Sequence, residues 1–309
     1  MKALVYKSTG SWYLAKNEAG RFYNCRIKGR FKMDKEITST NPIAVGDVVN
    51  IEVEDIEEES AMITDILQRK NYIVRSSPHH KKHIHIVASN LDQSLIIATL
   101  KDPRTSTGFI DRYLVTCEAY HIPAIIVFNK ADTLDEEDKL HYDFLYELYT
   151  KVGYPVYLIA AEFGQGLDEM KDLLKDKVSL FTGHSGVGKS TLINQLIPDM
   201  DIRVQEVSAW SGKGMHTTTF AEMHDLPGGG QIIDTPGIRE LGVVNISRQE
   251  LSGYYPEMKK VLVHCKYNNC LHFNEPGCAV KEAVNQQEIS VERYANYLKI
   301  YETIDDKNY

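Results

Sequence analysis

Hydrophobic and polar positions alternate with a short period over the first 68 residues. Segments 3–6, 12–15, 21–27, 47–53 and 61–67 are rich in β-branched and aromatic residues, and Gly10, Gly20, Gly29 and Gly46 punctuate them. That pattern predicts five short strands separated by turns. Strands so closely spaced predict a small closed barrel, OB-like in the first instance and SH3-like in the second. Residues 69–87 read as a linker. From residue 88 the pattern changes. Apolar runs at 93–100, 124–128, 156–160, 179–182 and 231–233 alternate with helix-length segments at 110–120, 136–152, 166–174 and 189–196. Alternation of this kind predicts a parallel sheet covered by helices on both faces. After residue 245 the chain reads as helical and Cys-containing, ending in a helix over 291–305. The predicted fold is therefore multidomain: an all-β OB-like barrel at 1–68, a linker at 69–87, an α/β domain at 88–245 and a helical domain at 246–309.

No apolar run approaches the roughly 20 residues that a spanning helix needs. The first residues lack the apolar stretch of a signal peptide. The expected location is the cytoplasm, with no membrane partner. There, five Cys in 309 residues point to thiols or metal ligands rather than disulfides. The net charge of −8 argues weakly against nucleic acid, but the charge is sorted along the chain. Residues 1–35 hold nine Lys/Arg and two acids, whereas 36–68 hold nine acids and no Lys/Arg. A polyanion responds to potential within a Debye length, about 8 Å in physiological salt. The basic stretch can therefore still meet phosphate.

The strongest local signal is Gly183-His184-Ser185-Gly186-Val187-Gly188-Lys189-Ser190-Thr191. It follows the apolar run VSLFT, opens a helix, and fits the phosphate-binding pattern G-x-x-x-x-G-K-[ST]. Its glycines let backbone amides wrap phosphates, and the helix N-terminus adds a favourable dipole. Lys189 is expected to reach the β- and γ-phosphates and Ser190 to bind Mg²⁺. Asn129-Lys130-Ala131-Asp132 follows the run AIIVF. A carboxylate closing N-K-x-D accepts two hydrogen bonds from guanine, a donor pair that adenine lacks, so GTP is the expected nucleotide. Asn129 would brace the loop and the Lys130 stem would lie along the base. Asp234-Thr235-Pro236-Gly237 fits D-x-x-G, with Asp234 reaching Mg²⁺ through water and the Gly237 amide reading the γ-phosphate. Between the two lies His216-Thr217-Thr218-Thr219. Thr218 is the favoured switch ligand for Mg²⁺, and Thr217 is next.

The order of these motifs is unusual, because N-K-x-D precedes the phosphate loop. Ala160-Ala161 between them can fill the base-contacting position, Ala161 through a backbone N–H. A circular permutation produces this order without changing the site in space, since domain termini lie close together. The barrel, GHSGVGKST, NKAD, HTTT, DTPG and a C-terminal Cys/His segment together resemble the circularly permuted, ribosome small-subunit-dependent GTPase A family over nearly the whole chain. Ala160 departs from the Ser usual there. The resemblance implies GTP hydrolysis stimulated by the small ribosomal subunit and a role in its late maturation. It implies the subunit and its rRNA, together with GTP and GDP, as partners, and no DNA. Lys28, Arg30, Lys32 and Lys35, with the C-terminal segment, are then expected to face rRNA. Trp12, Phe22, Tyr23 and Phe31 are either barrel core or base-stacking residues. Competing readings are an RNA-binding assembly scaffold with a structural nucleotide site, and a P-loop ATPase or kinase. Intact Lys189, Ser190 and Asp234 favour an active site over the first, and Asp132 argues against the second.

Cys265, Cys270, His272 and Cys278 crowd into 14 residues and form the Cys₃His set of a closed structural Zn²⁺ site, a set the resemblance shares. Cys25 and Cys117 read as small buried apolar residues. One structural Zn²⁺ and Mg²⁺ with GTP are the expected cofactors. Ile238 follows Gly237, where Ras-like enzymes place a water-positioning Gln. Weak intrinsic hydrolysis is expected, with His216 the in-chain candidate to orient water. His216, Thr218 and Lys189 are the expected catalytic residues.

Overall fold

The computed structural model describes residues 1–27, 41–76, 84–198, 221–235 and 246–304. It opens with strands β1 Lys2–Ser8, β2 Tyr13–Asn17, β3 Phe22–Ile27, β4 Val48–Asp55 and β5 Ser60–Ile66. They pair in the order β1-β2-β3-β5-β4, and β4 returns to β1. The ladder closes on itself, which matches the OB-like barrel. Alternation drives it: in β3, Tyr23 and Cys25 point inward between exposed Asn24 and Arg26. They meet Val5, Tyr13, Val49 and Ile63 in a common interior. Burial pushes the Cys25 thiol up to about 11, in keeping with a packing role. Tyr23 is core and Phe22 stacks edge-on against Tyr6, whereas Trp12 is exposed with the Arg26 guanidinium 5.2 Å from its ring. Lys28, Arg30, Phe31, Lys32 and Lys35 lie outside the described residues.

The stretch read as a linker is more structured than its composition suggests. It contributes β6 Tyr72–Ser76 and β7 Ile84–Ser89, an antiparallel hairpin. Ile73 and Ala88 enter the core of the following domain. Arg69 forks onto buried Asp47 with two 2.6 Å hydrogen bonds, and Ser89 donates to the same carboxylate. Bidentate guanidinium–carboxylate geometry of this kind fixes orientation as well as distance. The density of charged and His residues hid the alternation.

The α/β domain is built from β8 Gln93–Ala98, α1 Thr107–Ala119, β9 Ala124–Phe128, α2 Glu136–Val152, β10 Val156–Leu158, α3 Leu167–Leu174, β11 Val178–Thr182, α4 Lys189–Leu196, β12 Glu222–Asp225 and β13 Gln231–Asp234. The strand order is β10-β9-β8-β11-β13-β12. β10, β9, β8, β11 and β13 are parallel, and β12 is antiparallel to β13, so the sheet is mixed rather than purely parallel. β12 carries Met223 as its one apolar residue, too little for a strand pattern. Successive strand residues divide between the faces. Ile96, Ile126 and Phe128 pack under α1 and α2, while Leu95, Ile97 and Val127 pack under α3 and α4. The free edge of β12 meets β1 at Lys7↔Glu222, joining barrel and sheet.

The C-terminal part contains α5 Pro256–Lys259, α6 Ala279–Asn285 and α7 Val291–Thr303. Its core of Tyr255, Met258, Val280, Tyr297 and Ile300 includes Val115 of α1. A buried ion cluster reinforces that contact. Arg293 bonds Asp111 of α1 at 2.5 Å and Glu257 at 2.7 Å, and Asn296 and Tyr149 donate to the same aspartate. Burial raises the Asp111 carboxyl above the usual range, and Arg293 with its companions opposes that. No helix among the described residues is long and apolar enough to cross a membrane.

Candidate nucleotide site and metal centre

Because β8, β9 and β11 run parallel, the loops after them emerge at one edge of the sheet, where ligands of open α/β sheets bind. The loop after β11 is 183–188. Gly183 sits so close to β8 that a Cβ would lie 2.2 Å from the Ile97 carbonyl oxygen. At Gly188, φ is +91°, and a Cβ would lie 2.2 Å from Asn129 Nδ2. Gly183 also has φ +143°, so glycine is required by contact and conformation at both positions. The Asn129 side chain ties two loops together. Its Nδ2 donates to Val187 O at 2.9 Å, and its Oδ1 accepts from Ala161 N at 3.0 Å. The Ala161 amide is therefore engaged in holding Asn129, whereas the sequence suggested it for the base.

Lys130 adopts the left-handed conformation (φ 67°) and starts the turn Ala131–Thr133. Its ammonium reaches the Asp102 carbonyl across the site. Asp132 is exposed on that turn, and the Ala131 amide pins the turn to Ile159 O at 3.0 Å.

Lys189 Nζ donates to Gly183 O at 2.6 Å and His184 O at 2.9 Å, inside the curve of its own loop. Burial lowers its proton affinity and the charge of Asp234 offsets this. Asp234 lies level with Phe181 of β11, and Thr235 Oγ1 bonds Phe181 O at 2.8 Å. Burial pushes the Asp234 carboxyl up; Lys189 and the Thr235 amide pull it down, and Glu222 adds a smaller upward push. Asp234 Oδ1 is buried with no hydrogen-bond partner among the described residues. A carboxylate oxygen left this way needs a donor or a cation, so the residues fit Mg²⁺. Ser190 and Thr191 lie in the first turn of α4, both half-buried. His216, Thr217, Thr218 and Gly237 lie outside the described residues. No motif pointed to Phe109 of α1, whose ring lies 3.8 Å from the imidazole of His184.

The four C-terminal ligand candidates converge. One donor atom from each of Cys265, Cys270, His272 and Cys278 lies within 4.8 Å of all the others. His272 Nδ1 is 3.6 Å from Cys265 Sγ and 3.3 Å from Cys278 Sγ. Tetrahedral zinc with ordinary bond lengths separates sulfur and nitrogen ligands by about 3.6 Å, so the cluster fits. The surrounding frame is built for it. Glu275 accepts from the Leu271 and Phe273 amides, and Tyr294 and Tyr297 donate to the His272 and Leu271 carbonyls. Burial raises the Cys270 thiol, and the nearby Cys278 and Cys265 sulfurs add to that.

The RsgA GTPase family model matches residues 66–244, and the RsgA N-terminal domain matches 2–63. The chain belongs to the RsgA GTPase family. It is 50% identical over 310 residues to the small ribosomal subunit biogenesis GTPase RsgA of Bacteroides fragilis, covering 100% of this chain and 99% of that protein. The RsgA of Flavobacterium psychrophilum is also 50% identical, with 100% and 94% covered. Among solved structures, YjeQ from Thermotoga maritima superimposes with a TM-score of 0.78 at 32% identity, covering 97% of each chain. YloQ, described as a circularly permuted GTPase, gives 0.74 at 28% identity over 100% of this chain and 96% of that one. As an RsgA-family member the chain is a GTP hydrolase, and its motif order is that of a permuted GTPase.

Proposed function

We propose that the chain binds the small ribosomal subunit and acts in its late maturation, hydrolysing GTP when the subunit engages it. The observation that carries the nucleotide part is Asn129, bonded at once to the phosphate loop and the base loop. By tying the loop that follows β9 to the one that follows β11, it supports reading Asp132 and Lys189 as parts of one site. In this reading Asp132 reads guanine, with Asn129, Lys130, Ala131 and Ala161 shaping the base end. The amides of 183–188, Lys189 and Thr191 cradle the phosphates. Ser190 and Thr218, with Asp234 acting through water, would hold Mg²⁺, which would supply positive charge to the phosphates. The Gly237 amide senses the γ-phosphate. Cys265, Cys270, His272 and Cys278 hold one structural Zn²⁺. The subunit's role is supported by the names of the relatives and by the basic N-terminal stretch. The rRNA contacts fall to that stretch and the metal centre, and the cytoplasm is where they take place.

Ile238 can neither donate nor accept a hydrogen bond, so the attacking water is held by another group. His216 is that group in this reading, and the subunit orders it. Single-turnover hydrolysis by His216→Ala tests this. The variant is expected to bind GTP and subunits normally and to lose most of the subunit stimulation, about 10²-fold or more. Stimulation equal to that of the natural chain would remove His216 from the mechanism.

A further inference from the structure

Three strands from two domains line up one charge each beside the phosphate end of the site. β1 meets β12 at Lys7↔Glu222, and β12 meets β13 at Glu222↔Asp234. Residues directly opposite in antiparallel strands project from one face with Cβ atoms about 4.5–5.5 Å apart, and like charges placed so are destabilising. Glu222 and Asp234 are such a pair, and Glu222 acts electrostatically on Asp234. Lys7 Nζ sits 3.1 Å from Glu222 Oε2. On the far side Lys189 acts on Asp234 with the opposite sign. The row therefore reads plus, minus, minus, plus from barrel to phosphate loop. The barrel also holds the other end of β12: Tyr6 Oη and Lys16 Nζ each bond an oxygen of Asp225 at 2.6 Å.

We propose that Lys7, a barrel residue, is a positioning residue of the nucleotide site. It cancels Glu222, so that the phosphates meet one excess negative charge fewer, and the seating of the barrel on β12 sets how tightly the triphosphate is held. A force that shifts the barrel is then felt at Asp234 without any contact to nucleotide. This rests on the assignment of Asp234 and Lys189 to the phosphate site.

The test is the affinity of a fluorescent GTP analogue for the full-length, zinc-loaded chain at low ionic strength without added Mg²⁺, so that magnesium does not enter the readout. Lys7→Ala is expected to weaken binding roughly three- to tenfold and Glu222→Gln to tighten it by a similar factor. The double variant should follow Glu222→Gln alone, because Lys7 then has no charge to cancel. Both side chains are about one-third exposed (37% and 33%), so the effect should shrink in high salt. Unchanged affinity in Lys7→Ala would overturn the proposal. So would a loss that persists in the Glu222→Gln background. Lys189→Ala measured alongside separates the two readings. If it loses binding while Lys7→Ala does not, the role of the barrel fails alone. If it too binds normally, the phosphate site is misassigned.

Discussion

Asp132→Asn should convert a guanine-selective chain into one that prefers xanthine nucleotides. A carboxylate accepts from two donors on guanine. The amide accepts from one and turns its own N–H toward the other, leaving a clash of donors. Xanthine carries a carbonyl at that position and restores the pairing. Sites that hydrogen-bond a substrate group reject partners with the wrong pattern by roughly 10⁴–10⁵-fold, and the loss of GTP affinity should approach that range. The fold should be unaffected, because Asp132 is exposed and the turn is held by the Ala131 and Thr133 amides. Displacement of a bound fluorescent nucleotide by GDP, XDP and ADP reads the result. Undiminished guanine preference in the variant would show that Asp132 does not read the base.

The second large effect is at the metal centre. A chelator-free preparation should contain one zinc per chain, and Cys270→Ser should lose it. Zinc-finger peptides gain about 10–16 kcal/mol from zinc, all of it folding free energy. The segment 265–278 has little apolar core of its own and should unfold. Acid should act in the same direction: the Cys270 thiol is raised by burial, so it must surrender a tightly held proton to bind zinc, and uptake weakens as pH falls. Nucleotide affinity should survive, because α7 remains anchored to α1 through Arg293, Asp111 and Asn296, none of which depends on the metal. Metal analysis together with hydrogen exchange distinguishes the outcomes. A preparation without zinc would rule out the structural zinc, and loss of GTP binding on removal of Cys270 would rule out a metal centre independent of the nucleotide site.

What the sequence showed and what it hid follow from the range of the interactions. Residues 124–128 form a continuous apolar run, and 178–182 are apolar but for Ser179 and Thr182, because both faces are covered, and each leads into a loop whose chemistry-bearing residues are consecutive in the chain. Those loops were therefore legible as motifs. The edge strand β12 was not, because an edge strand flanked by a barrel needs charges such as Glu222 and Asp225 where a buried strand needs apolar residues. Nor was the hairpin of β6 and β7, whose packing depends on Asp47 and Arg69 meeting in space. Arg293 and Asp111 lie 182 positions apart and carry no spacing signal at all. The hydrogen bond from Ala161 to Asn129 was equally hidden, and it changes the part assigned to that amide.

The proposed function makes the small ribosomal subunit the governor of GTP hydrolysis at this permuted site. The most direct measurement is single-turnover phosphate release with the natural chain alone, with purified small subunits and with purified large subunits. Release is expected to be slow alone, accelerated by small subunits roughly 10³-fold or more, as recruited activators accelerate other GTPases, and unchanged by large subunits. Fast release by the isolated chain, or equal acceleration by either subunit, would contradict the proposed function.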